Sequence, residues 1–167
     1  EVAVFHALMT ISTAYIGLLT MVGTPIWAAL SDANKNGELE WIKSAVAKYR
    51  KYLFCLAGGL GCLLVLLGPH LLPLWYGDEF TATRTVFLTH SLFLLVMGWR
   101  LIHRTLAIGM DQIRTSVQPI LIGLGLEIVL GVAGLSLFGL PGLFLGMAGG
   151  ILLYPAWRLP AVIKAKF

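Results

Sequence analysis

Long apolar runs broken by short charged stretches dominate the chain. The runs cover residues 5–30, 52–74, 85–104, 115–138 and 140–157. All but the last reach the roughly 20 residues that a helix needs to cross a bilayer, and the last falls just short. Within lipid only helices and closed barrels satisfy their backbone groups, and these segments are too long and too Leu-rich for barrel strands. The pattern predicts an all-α, polytopic membrane bundle of about five transmembrane helices.

The one long polar interruption, 31–51, has its own pattern. Asn36-Gly37 signals a turn, after which Leu39, Ile42, Val46, Tyr49 and Leu53 recur at spacings of three and four while Lys43, Lys48 and Lys51 fall elsewhere. This predicts a short amphipathic helix. With Trp41 beside it, the helix can lie on the anionic cytoplasmic surface before turning into the second span. A solvated connector explains the charges equally well.

Composition narrows the class. Hydrophobic residues make up 58% of the 167 and charged ones 12%, with a mean hydropathy of +0.87, outside the range of soluble domains. The basic residues then orient the chain. Lys35, Lys43, Lys48, Arg50 and Lys51 lie between the first and second spans, Arg100, Arg104 and Arg114 around the third-to-fourth connection, and Arg158, Lys164 and Lys166 in the tail. The other connections hold only Arg84, so these three regions are expected to be cytoplasmic, with the N-terminus outside and the C-terminus inside. The net charge of +4 reflects this topology and gives no reason to expect a nucleic-acid partner. The first span lacks a basic leader and a cleavage-like ending and is not read as a secretory signal. Glu1 is expected to mark a truncation.

Polar residues inside the spans are the candidates for function. His6, Thr10, Thr13, Gly17, Thr20 and Thr24 form one face of the first span, suited either to lining a cavity or to close helix packing. Pro25 is expected to kink that span. Arg100, His103 and Arg104 form a cationic face near one end of the third span, able to hold a phosphate or diphosphate or simply to reach the lipid headgroups. Glu127 sits in the middle of the fourth span on a face shared with Pro119, Gly123 and Gly131. It is a candidate for proton or cation coupling, or for a structural hydrogen bond. Gly142, Gly146 and Gly150 make a packing ridge on the fifth span. Cys55 and Cys62 are too far apart on one helix for a disulfide and are expected to be buried small residues. Enzyme motifs and a metal-ligand set are missing, and the adjacent Asp78 and Glu79 read as solvated loop residues, so no cofactor and no catalytic residue are expected.

Four stretches in order, "PIWAALSDANKNGELEW", "LPLWYGDEF", "AIGMDQIRTSVQP" and "LEIVLGVAGLSLFGLPGLFLG", make the chain resemble the polysaccharide flippases of the multidrug, oligosaccharidyl-lipid and polysaccharide exporter superfamily. The resemblance covers essentially the whole chain and rests on the order and spacing of soft motifs. It implies the last five of twelve helices in a two-bundle, inverted-V transporter of the bacterial inner membrane, with an N-terminal helical bundle or an equivalent chain as partner. The implied substrate is a polyprenyl-diphosphate-linked oligosaccharide. On that reading Arg100, Arg104 and His103 meet the diphosphate, Thr13 and Thr20 line the sugar path, and Glu127 couples or packs. Family members often carry Asn at the Glu127 position, so the substitution leaves packing and ion coupling both open. A multidrug or cation antiporter of the same superfamily and a membrane glycan polymerase or ligase are the alternatives.

Overall fold

A computed structural model describes residues 2–77 and 82–164. Glu1, Asp78, Glu79 and Lys166 lie outside the described residues. The described chain is all helix: α1 (Val2–Lys35), α2 (Leu39–Tyr76), α3 (Arg84–Gly109), α4 (Ile113–Leu153) and α5 (Pro155–Lys164). Among the described residues four stretches are long and apolar enough to cross a membrane, the last being Ile113–Lys164. The protein is therefore built as a multi-pass membrane bundle.

The expected count of five spans differs from these four continuous stretches because α4 is folded on itself. Gly139 has φ 66° and ψ −150°, inside what is otherwise helix. Only glycine adopts that region without strain. Beyond it the chain reverses: a Cβ placed on Gly134 would strike Gly142, one on Gly146 would strike Leu130, one on Gly150 would strike Glu127, and one on Gly123 would strike Pro155. The first three pairs meet at backbone atoms and define two antiparallel arms, 113–138 and 140–153, and the fourth sets the ring of Pro155, the first residue of α5, on the first arm. The ridge expected on the fifth span thus packs on the fourth. Apolar side chains gain little by leaving lipid for one another, so close approach over small residues is what holds such arms together. Replacing Gly139 by Ala is expected to lower stability by about 1–3 kcal/mol, read as a fall in the thermal unfolding midpoint in detergent.

The insert at 31–51 is organised differently from the expected surface helix. α1 continues through Pro25 to Lys35 and α2 begins at Leu39, joined by a turn in which Gly37 takes φ 74°. α2 then runs unbroken into the membrane, and at 1.5 Å per residue its 38 residues extend about 57 Å. That is well beyond the roughly 30 Å hydrocarbon core. Ile42, Tyr49 and Leu53 of the apolar face are buried in the bundle, where Leu30 and Ala33 of α1 are buried too, while Leu39 and Trp41 are exposed. The basic insert is the protruding end of a helical hairpin.

α3 is the central helix and packs on all the others. It runs parallel to α1, with Gly98 against Tyr15 and Leu19 and Gly109 against Leu30, and antiparallel to α2, with Gly68 against the Phe87 ring and the Ser91 hydroxyl donating to the Gly61 carbonyl at 3.1 Å. Its end is a helix-terminating motif in which Asp111 adopts φ 57° and the Gln112 N–H donates to the Ala107 carbonyl at 2.8 Å. That turn sends α4 back along α3.

Cys55 and Cys62 are exposed rather than buried. The buried positions of α2 in the membrane are Leu53, Ala57, Gly61, Leu64, Gly68 and Leu72, a spacing that leaves both thiols on the opposite side. Small size does not imply burial there, because lipid accepts a small apolar side chain as readily as a neighbouring helix does.

Candidate functional site

Glu127 reaches its position through the hairpin. Ser116, Pro119, Gly123, Glu127 and Gly131 are all buried on the first arm, the face marked by the four-residue spacing. This face packs on the returning arm and the start of α5, with Gly123 against Pro155, Gly131 against Leu143 and Met147, and the Glu127 backbone against Gly150, and from α3 the Arg100 guanidinium forms an ion pair with the Glu127 carboxylate. Their side chains are 17% and 7% exposed. Both charges are therefore spoken for inside the bundle. The partner of Glu127 was not legible in the sequence, where Arg100 lies near the end of its span and Glu127 in the middle of another. The long Arg side chain bridges the offset in depth.

The cationic face of the third span does not act as one unit. His103 is buried, its Nδ1–H donating to the Trp99 carbonyl at 2.9 Å, and it lines a cavity facing α2 and α5. Arg104 is exposed and lines a different groove, between α1 and α3. Among the described residues it has no acidic partner. Arg100, His103 and Arg104 are thus committed to three separate places.

The α1–α3 groove has a volume of about 350 Å³ and is lined by Ile16, Thr20, Gly23, Thr24 and Trp27 on α1 and by Leu101, Arg104, Thr105 and Ile108 on α3. Thr20 and Arg104 meet there. Thr13 is on the same helix face, two turns away, and does not line the groove. The whole stripe of His6, Thr10, Thr13, Gly17, Thr20 and Thr24 is exposed, and a Cβ on Gly17 would meet nothing. No other helix among the described residues covers it. The hydroxyls of Thr10, Thr13, Thr20 and Thr24 each donate to the carbonyl four residues earlier, at 2.8–3.0 Å. Their oxygens are left to accept. The stripe therefore presents acceptors to whatever lies against it, with a cation at one end.

His90 has a structural setting. Its Nε2 lies 2.8 Å from the Ser12 hydroxyl, which is also 3.1 Å from the Leu8 carbonyl. With Ser12 donating to Leu8, the imidazole donates to Ser12 and leaves Nδ1 as a bare acceptor; that atom is buried without a partner among the described residues. The ring packs on Phe144 at 4.7 Å between centroids. Among the described residues no three His, Cys, Asp or Glu side chains gather as a metal would require.

Comparison of the chain with protein-family models, with curated proteins and with solved structures finds no match in any of the three.

Proposed function

We propose that this bundle is part of a transporter that moves a polyprenyl-diphosphate-linked oligosaccharide from the cytoplasmic to the outer leaflet of the bacterial inner membrane. The observation that carries the reading is the uncovered polar face of α1, ending beside Arg104. A row of acceptor oxygens ending beside an exposed arginine is suited to a water-filled path or to a second helical bundle across that path. The sequence resemblance to polysaccharide flippases supports the same arrangement, with the N-terminus outside and the C-terminus cytoplasmic.

In this mechanism Arg104 attracts the diphosphate at the inner mouth through charge-assisted hydrogen bonds. The sugar hydroxyls then donate to the Thr20 and Thr13 oxygens along α1. The polyprenyl tail stays in the lipid. Arg100 and Glu127 hold α3 on the hairpin, and a coupling proton or cation that takes Glu127 competes with Arg100 for it.

The test is export of surface polysaccharide by the complete protein carrying Arg104→Gln. Loss of a charged hydrogen bond of about 1.5 kcal/mol corresponds to a roughly tenfold fall in export, with membrane insertion unchanged because Arg104 is exposed. Normal export by that variant would remove the diphosphate role. Drug efflux with unchanged surface polysaccharide would instead identify a multidrug exporter.

A further inference from the structure

A second anion-suited site lies on the other side of α3. Lys43, Val46, Ala47 and Arg50 of α2 fall at i, i+3, i+4 and i+7 and so share one helix face. That face lies opposite His103 and Leu106 of α3, and α5 supplies Pro160, Ile163 and Lys164, lining an open cavity of about 190 Å³. Lys43 is engaged by Glu40 at 2.9 Å. Arg50 and Lys164 are exposed cations at the rim, and no acidic side chain among the described residues lines the cavity. The walls between them are apolar, through Val46, Leu106 and Ile163. At the base His103 uses Nδ1–H on the Trp99 carbonyl, so Nε2 of the neutral ring is an acceptor with no hydrogen-bond partner among the described residues.

We propose that this cavity binds the headgroup of an anionic phospholipid bearing a headgroup hydroxyl, such as a phosphatidylglycerol. The phosphodiester sits between Arg50 and Lys164, the hydroxyl donates to His103 Nε2, and the start of the acyl region lies on Val46 and Ile163. Trp157 and Arg158 are exposed on the same short helix that supplies Lys164. Such residues mark the membrane interface, which puts the mouth of the cavity at headgroup depth. Basic pockets between helix ends at this depth are suited to acidic lipid headgroups. The same phosphate chemistry could come from a soluble anion, but apolar walls favour a ligand with an apolar end. The site is independent of the α1–α3 groove and of the transport reading.

The experiment is native mass spectrometry of the complete protein released from nanodiscs of mixed phosphatidylcholine and phosphatidylglycerol. The expected result is one tightly retained phosphatidylglycerol, reduced about tenfold or more in the Arg50→Gln, Lys164→Gln double variant and unchanged in Lys48→Gln, an exposed lysine of α2 outside the cavity. Equal retention by the double variant, or an equal loss in Lys48→Gln, would overturn the site. Displacement of the lipid by inorganic phosphate, with phosphate retained in pure phosphatidylcholine discs, would overturn the lipid assignment in favour of a soluble anion. Equal retention of phosphatidylethanol, an anionic phosphodiester without a headgroup hydroxyl, would overturn the His103 contact.

Discussion

Replacing Gly146 by Val is expected to abolish the folded bundle. A side chain there would enter the space of the Leu130 backbone and reach the Gly131 nitrogen on the other arm of α4. A flexible side chain can move aside, but a backbone held in helix cannot. Overpacking in ordinary cores costs about 1–3 kcal/mol, and a clash with main chain lies at or above the top of that range. The arms would have to separate, and with them the buried face that carries Glu127. The cooperative thermal transition in detergent should disappear. Gly58→Ala and Gly125→Ala are the controls, since a Cβ at either position meets nothing within 4 Å. They should match the unsubstituted protein or exceed it slightly, because Ala gains up to about 1 kcal/mol over Gly in a helix. An intact transition in Gly146→Val would mean that the arms are not in backbone contact.

The second large effect is expected at the ion pair. Arg100→Leu leaves Glu127, 7% exposed, as an unpaired carboxylate beside the close helix contact at Gly150. Removing one partner of a buried pair costs about 3–5 kcal/mol, and this variant should lie near the upper figure. Glu127→Leu should cost less, because the Arg100 side chain is longer, 17% exposed and able to reach toward the interface. The Arg100→Leu, Glu127→Leu double variant should recover most of the loss, since well-packed apolar residues often replace a buried pair at little cost. The measurement is a double-mutant cycle on thermal stability in detergent. Strict additivity of the two single effects would show that the pair does not hold α3 to the hairpin.

The pair also shows where the sequence stops being informative. Glu127 could be assigned to an inward face because Pro119, Gly123 and Gly131 repeat with it every four residues. Its partner lies 27 residues away, and only the register of α4 against α3, which depends on the turn at Asp111, brings the two together. The same limit applies to Arg100, His103 and Arg104. Helical spacing puts them near one another, but each side chain goes to the neighbour that a particular packing offers. α2 is a further case. The periodicity of Leu39, Ile42, Val46, Tyr49 and Leu53 was visible, yet a membrane surface and a protein core both accept an apolar stripe. The structure buries Ile42, Tyr49 and Leu53 in the core, leaves Leu39 exposed, and continues the same helix into the second span.

The sequence alone is enough to make the chain helical and membrane-spanning, to part the apolar runs 115–138 and 140–157, and to say which faces carry the Thr stripe, the Gly ridge and Glu127. These follow from local quantities: hydropathy over a bilayer's thickness and helical period. Which of those faces are covered depends on how the helices pack. That packing put Arg100 on Glu127, left the α1 stripe and Arg104 open, turned Cys55 and Cys62 outward, and gathered Arg50, His103 and Lys164 into one cavity from three helices. The reason is that lipid and protein interior are alike in polarity, so burial in a membrane bundle is set by shape and register between distant segments, which no local pattern records.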